Sequence, residues 1–134
     1  MDNNKVYIFR LKPGEDLRKS IEAFVKEKNI IAGWINACVG SLTDYTIRFA
    51  NQQEGNNGSG HFEIVNLTGT VSVNGSHLHI SISDSTGKTI GGHLLDGCKI
   101  YTTAEIVIGS TTAYEFKRLK DGTTEGEELQ VNEK

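Results

Sequence analysis

No stretch of this chain approaches the roughly 20 consecutive apolar residues a helix needs to cross a bilayer, so no helical membrane span is expected. The opening residues MDNNKVYIFRLKPGED lack a basic start, an apolar stretch and a small-residue cleavage site, so they do not read as a secretory signal peptide. A cytoplasmic location follows as the expectation. Cysteine is scarce: Cys38 and Cys98 stand far apart, and in a reducing compartment they behave as small apolar thiols rather than as a disulfide. Basic clustering is also missing. The net charge is -3, and the one group of cations, Lys117, Arg118 and Lys120, stands among Glu115, Asp121, Glu125, Glu127 and Glu128. Phosphate-backbone recognition draws its affinity from clustered Lys and Arg, so the charge argues against a nucleic-acid surface. No internal repeat is present. With 37% hydrophobic and 23% charged residues, the composition is too apolar for disorder, and 134 residues suit one domain spanning 1–134.

The pattern along the chain predicts an α+β domain. VYIFRL alternates and is rich in aromatic and β-branched residues, as a first strand should be. After the PGED break, Leu17, Ile21, Phe24 and Val25 recur at helical spacing and predict one main helix over 14–28. IIAGWINACVGSL and DYTIRFA read as two strands with a bend at Gly40 and Ser41. Residues 51–60, NQQEGNNGSG, offer nothing to pack and are expected to form a mobile loop. Five further strand patterns begin at His61, giving about seven or eight strands, about seven of them in a mainly antiparallel sheet. Residues 120–134 look like a polar C-terminal tail, although Leu129 and Val131 alternate and give it a means of attachment.

Three of the four histidines fall within GSHLHISISDSTGKTIGGHL, residues 75–94. Strand alternation places His77, His79, Ser81 and Ser83 on one face and Leu78, Ile80 and Ile82 on the other. The turn DSTGK fits a three-residue hairpin loop, Ser85-Thr86-Gly87, with glycine in the left-handed position. That choice pairs Asp84 with Lys88, Ile82 with Ile90, Leu78 with Leu94 and His79 with His93. A loop of two or four residues would exchange the buried and exposed faces of one strand, which a half-buried sheet resists. Opposed Cβ atoms lie about 4.5–5.5 Å apart and diagonal ones about 7–8 Å, so His77 converges on the point between His79 and His93. Gly91 and Gly92 within the strand signal a bulge or a close approach. Three imidazoles suit zinc with an open fourth position for water or a small ligand. Nickel, copper, cobalt and iron also accept imidazole. The competing reading is of polar histidines on a solvated sheet face.

The stretch GSHLHISISDSTGKTIGGHLLDGCKIYTTAEI resembles the signature of the plants-and-prokaryotes conserved (PPC) domain, found beside AT-hooks in plant nuclear proteins and standing alone in bacteria and archaea. FRLKPGEDL, ACVGSL, FEIVNLTGTV and FKRLKDGTTEGEELQV extend the likeness over nearly the whole chain. The resemblance implies a compact α+β fold assembled as a homotrimer, with a metal held in some prokaryotic members at the positions of His77, His79 and His93. Ser76 departs from the proline usual before the first histidine. The Arg-Gly-Arg-Pro hook by which plant members bind DNA has no counterpart here, where the single proline is Pro13.

Three functions follow for consideration. The first is a trimeric binding or regulatory module whose metal is structural or holds a small molecule. The second is a metal-dependent, hydrolase-like enzyme, for which an acid or base is needed. Glu105 in TTAEIVI is the leading candidate, with Asp84, Asp96 and Glu63 behind it, and a hydrogen-bonded interface or core carboxylate is its plainer role. The third is DNA binding, as the family is often labelled. His61 is left outside the cluster, Ser81 and Ser83 are candidates to orient the imidazoles, and the face on which Cys98 lies is left open.

Overall fold

The chain is described from a computed structural model that covers residues 3–134. Strand β1 (Asn4–Leu11) leads to helix α1 (Leu17–Glu27), followed by β2 (Gly33–Arg48), β3 (Asn56–Val71), β4 (His77–Ser83), β5 (Thr89–Leu94), β6 (Lys99–Thr111), β7 (Tyr114–Lys120) and β8 (Glu127–Glu133). Six strands form one sheet in the order β1-β6-β2-β3-β4-β5, and β7 and β8 form a separate two-stranded sheet. Every pairing is antiparallel. The large sheet curls back on itself: Ile47 and Arg48 at the end of β2 pair with Leu94 and His93 of β5. The result is the α+β, mainly antiparallel arrangement with one helix that the periodicity predicts.

Helix α1 closes one side of the core. The Asp16 side chain accepts a hydrogen bond from Lys19 N (3.1 Å) and so caps the helix at its N-terminus. Its second oxygen accepts from Gly97 N at 2.7 Å, tying the helix to the turn before β6. Leu17, Ile21 and Val25 are buried, and Phe24 stacks on Phe9 of β1 with centroids 3.9 Å apart. Each such aliphatic side chain removed from water contributes about 1.5–3 kcal/mol. Ile82, Leu94, Ile100, Ile106 and Ile108 complete the centre from β4, β5 and β6.

Three local expectations are corrected. The two strands expected around Gly40 are one, β2, whose irregularity lies in register shifts such as that between Leu42 and Asp44. Gly40 is there for a close approach, because a Cβ would sit 2.1 Å from the Thr103 carbonyl oxygen of β6. The expected loop 51–60 ends early: β3 begins at Asn56, since Asn56, Asn57, Gly58 and Ser59 ladder against Ile47, Thr46, Tyr45 and Asp44. Backbone pairing needs no apolar side chain, and Gly58 lies under the Tyr45 ring. The polar tail is strand β8 for seven of its residues, with Leu129 opposite Arg118 and Val131 opposite Phe116. Phe116 N donates to the Ile31 carbonyl (2.9 Å), while Ser72 Oγ and Asn74 Nδ2 both donate to the Phe116 carbonyl, so the hairpin is fastened to the body.

Candidate metal centre

The β4–β5 turn has the chemistry its sequence demands. Gly87 takes φ +84°, Asp84 N donates to the Lys88 carbonyl (2.9 Å) and Gly87 N to the Asp84 carbonyl (2.9 Å). Asp84 Oδ1 accepts from Thr86 N, Thr86 Oγ1 and Lys88 N. The bonds from Thr86 hold its carboxyl below the usual range, so the ionised side chain locks the turn. From it the register runs Ile82 to Ile90, Ser81 to Gly91, Ile80 to Gly92 and His79 to His93, as burial of the apolar face requires. Leu94 continues onto Ile47 of β2.

Gly91 and Gly92 mark close approach, not a bulge. A Cβ would fall 2.5 Å from the Ile80 carbonyl oxygen at Gly91 and 2.4 Å from the Arg48 carbonyl oxygen at Gly92. Strand β5 is thus squeezed between β4 and the end of β2. One consequence is chemical: Arg48 is brought level with His93.

The three imidazoles meet. Ring centroids are 4.9 Å apart for His77 and His79, 5.3 Å for His77 and His93, and 5.8 Å for His79 and His93. One nitrogen from each lies within 4.8 Å of the others. His93 Nδ1 is buried with no hydrogen-bond partner among the described residues. Burial, with help from Arg48 and the other two imidazoles, pushes the His93 pKa down to about 4. Burial likewise lowers that of His77, with His79 and Arg118 adding to it and Glu128 opposing. Three convergent imidazoles, one of them with an orphaned buried nitrogen, match what a borderline-soft divalent cation takes as ligands.

The β7–β8 hairpin, which the sequence presents as a tail, lies against this cluster. A hollow of about 290 Å³ is bounded by Thr70, His77, His79, Arg118, Glu128 and Leu129. A second, also about 290 Å³, is bounded by Arg48, His77, His93, Arg118, Glu127 and Glu128. Arg118 Nη2 donates to Thr70 Oγ1 at 2.8 Å, and Thr124 Oγ1 donates to Glu128 Oε2 at 2.6 Å. Arg48, Arg118, Glu127 and Glu128 are therefore the site residues that sequence reasoning missed. An arginine within the apolar strand TIRFA was the one available sign.

The other candidates lie elsewhere. Glu105 sits on β6 between Arg10 and Val39, exposed, and bounds neither histidine hollow. Asp84 serves the turn, and Asp96 pairs with Arg18 at 3.6 Å. Glu63 borders a separate groove of about 410 Å³ with His61 and Tyr101, whose rings stack in parallel 4.3 Å apart. Cys98 is buried away from the histidines, its Sγ between Thr46 N (3.4 Å) and Thr46 O (3.5 Å). Among the described residues neither Ser81 nor Ser83 bonds to an imidazole. Ser76, in place of the usual proline, donates to Glu22 Oε2 of α1 at 3.1 Å.

A curled antiparallel sheet with one helix, presenting three convergent imidazoles beneath a β-hairpin, defines a small α+β domain with a built histidine site. The chain belongs to the Plants and Prokaryotes Conserved (PCC) domain family, whose model matches residues 1–112. Bifunctional GlmU proteins from two Synechococcus strains are 42% and 41% identical over 127 residues, 95% of this chain. The chain spans 20% of the length of these curated relatives. A hypothetical protein from Salmonella enterica is 36% identical with a TM-score of 0.96, covering 100% of this chain and 97% of that one. A protein from Bacteroides thetaiotaomicron, provisionally labelled DNA-binding, is 28% identical with a TM-score of 0.81 and 97% of both chains covered. A metal-containing protein from Archaeoglobus fulgidus is 26% identical with a TM-score of 0.79, covering 94% of this chain and 93% of the other.

Proposed function

We propose that His77, His79 and His93 hold one divalent cation, zinc first among them, and that the domain acts as a trimeric binding or regulatory module in the cytoplasm. The observation that carries this is the convergence of three imidazoles, one of which, His93, has a buried Nδ1 with no hydrogen-bond partner among the described residues. The metal-containing relative from Archaeoglobus fulgidus supports it. A bound divalent cation would supply Lewis-acid polarisation to a small ligand. The chain's own residues do the rest: Arg118, Glu128 and Leu129 of the β7–β8 hairpin border the cluster, and Arg118, fixed through Thr70, sets one wall of the ligand space. The GlmU relatives carry this segment as a minor part of a longer protein, which suits a module that serves a partner enzyme.

A metal-dependent hydrolase is the second reading, favoured by Glu128, whose carboxylate shares both hollows with His77 and is placed to accept a proton. DNA binding ranks third: it rests on the label of a relative, while the chain's net charge is -3.

Elemental analysis of protein purified without a metal-affinity tag tests the first reading. The expected result is one zinc or related ion per chain, abolished in His79→Ala. Protein that stays metal-free even after zinc is supplied rejects it. A panel of esters and phosphoesters, with and without chelator, separates module from enzyme: chelator-sensitive turnover lost in His93→Ala favours the hydrolase.

A further inference from the structure

The guanidinium of Arg48, a half-buried residue, has no ion pair and no hydrogen bond among the described residues. It lies beside His93 on the closing edge of the sheet, bounding the same hollow as Arg118. Arg118 commits one donor to Thr70 and keeps the others of its five N–H groups. Glu127 and Glu128 bound that hollow too, yet neither comes within the 4.0 Å of an ion pair with either arginine, and Glu128 is engaged by Thr124.

The charges around this space do not close. Two guanidinium groups balance two carboxylates, and no further carboxylate bounds the hollow, so the two positive charges of a divalent cation stand uncompensated. A partly desolvated site with that excess, with a forked donor left unpaired at its wall, is complementary to an anion with paired oxygens. The hollow's volume of about 290 Å³ fits a small acid or a single phosphate group rather than a nucleotide.

We propose that the hollow enclosed by the end of β2, the β4–β5 hairpin and the β7–β8 hairpin binds a small oxyanion, a carboxylate or a phosphate group, through Arg48 and Arg118 on the open side of the histidine cluster. This rests on the metal reading above, because the excess charge is the cation's.

Calorimetric titration tests it in two stages. Zinc is first titrated into chelator-treated full-length protein. Inorganic phosphate and malonate are then titrated separately into the zinc-loaded form. The expected result is one zinc per chain and 1:1 binding of at least one anion, and the tighter of the two identifies a tetrahedral or a planar partner. Arg48→Gln and Arg118→Gln should each keep full zinc stoichiometry while weakening the anion at least tenfold, with Arg48→Lys recovering part of the loss. Normal zinc loading with no anion binding, or parental anion affinity in Arg48→Gln, overturns the oxyanion site and leaves the metal reading standing. Failure to bind zinc overturns both.

Discussion

His93 is the imidazole that the fold treats most severely, since it is partly buried, stands beside an arginine and has one ring nitrogen without a partner among the described residues. Its pKa of about 4 lies below the ordinary 6.5, so the unfolded chain takes up the proton first as pH falls. The stability tied to this group is complete above pH 6.5, is lost between pH 6.5 and about 4, and changes no further below that. In metal-free protein the melting temperature should therefore drop across that window. His93→Gln should flatten the drop relative to the parent, which isolates this imidazole from the carboxylates. An equal slope in both proteins, followed by circular dichroism, speaks against the assignment. The triad itself was readable from a spacing of two within one strand and a glycine-defined turn to the next. Arg48, Arg118 and Glu128 were not, because they reach the histidines through sheet closure and hairpin docking, which leave no local periodicity.

At the scale of elements, β5 is the piece on which the site depends. Its alternation and turn made its pairing with β4 legible, and the two glycines announced that something lay close. What lay close to Gly92, the carbonyl of Arg48, belongs to a residue 44 positions earlier in the sequence and could not be read locally. The same blindness explains residues 56–60 and β8, polar segments whose order comes from backbone ladders rather than buried side chains. Gly92→Ala places a methyl group 2.4 Å from that carbonyl and must part β5 from β2. It should cost about 1–3 kcal/mol, by analogy with overpacking, and weaken zinc binding as His93 shifts. Gly87→Ala is the control: at φ +84° with open space around it, the strain is local, about 1–2 kcal/mol, and zinc stoichiometry should be untouched. Urea unfolding with a zinc titration of each variant makes the comparison. Equal zinc affinity in the two variants counts against closure of the sheet as the support of the site.

For the whole molecule, the outer face of the large sheet is the feature that a single chain leaves unexplained. Val6 and Ile8 of β1 are 57% and 75% exposed, and Val39 of β2 is 60% exposed. The register sets Ile8 opposite Val107 and Val107 opposite Ala37, so the apolar positions run across three strands as a band. Arg10 and Glu105, paired in register, stand at the edge of that band, and Glu105 bounds neither histidine hollow. A contiguous apolar patch with a charged rim is typical of a protein–protein contact, and the homotrimer implied by the family resemblance would cover it. Light scattering should then report three times the chain mass of 14.7 kDa. Ile8→Glu, which places a charge at the centre of the band, should shift the protein toward one chain mass without unfolding it. Because the histidines, both arginines and the β7–β8 hairpin all come from the same chain, the dissociated variant should still bind one zinc per chain. A parent protein of one chain mass at tens of micromolar rejects the trimer. Loss of zinc together with dissociation would instead mean that a neighbouring subunit completes the site.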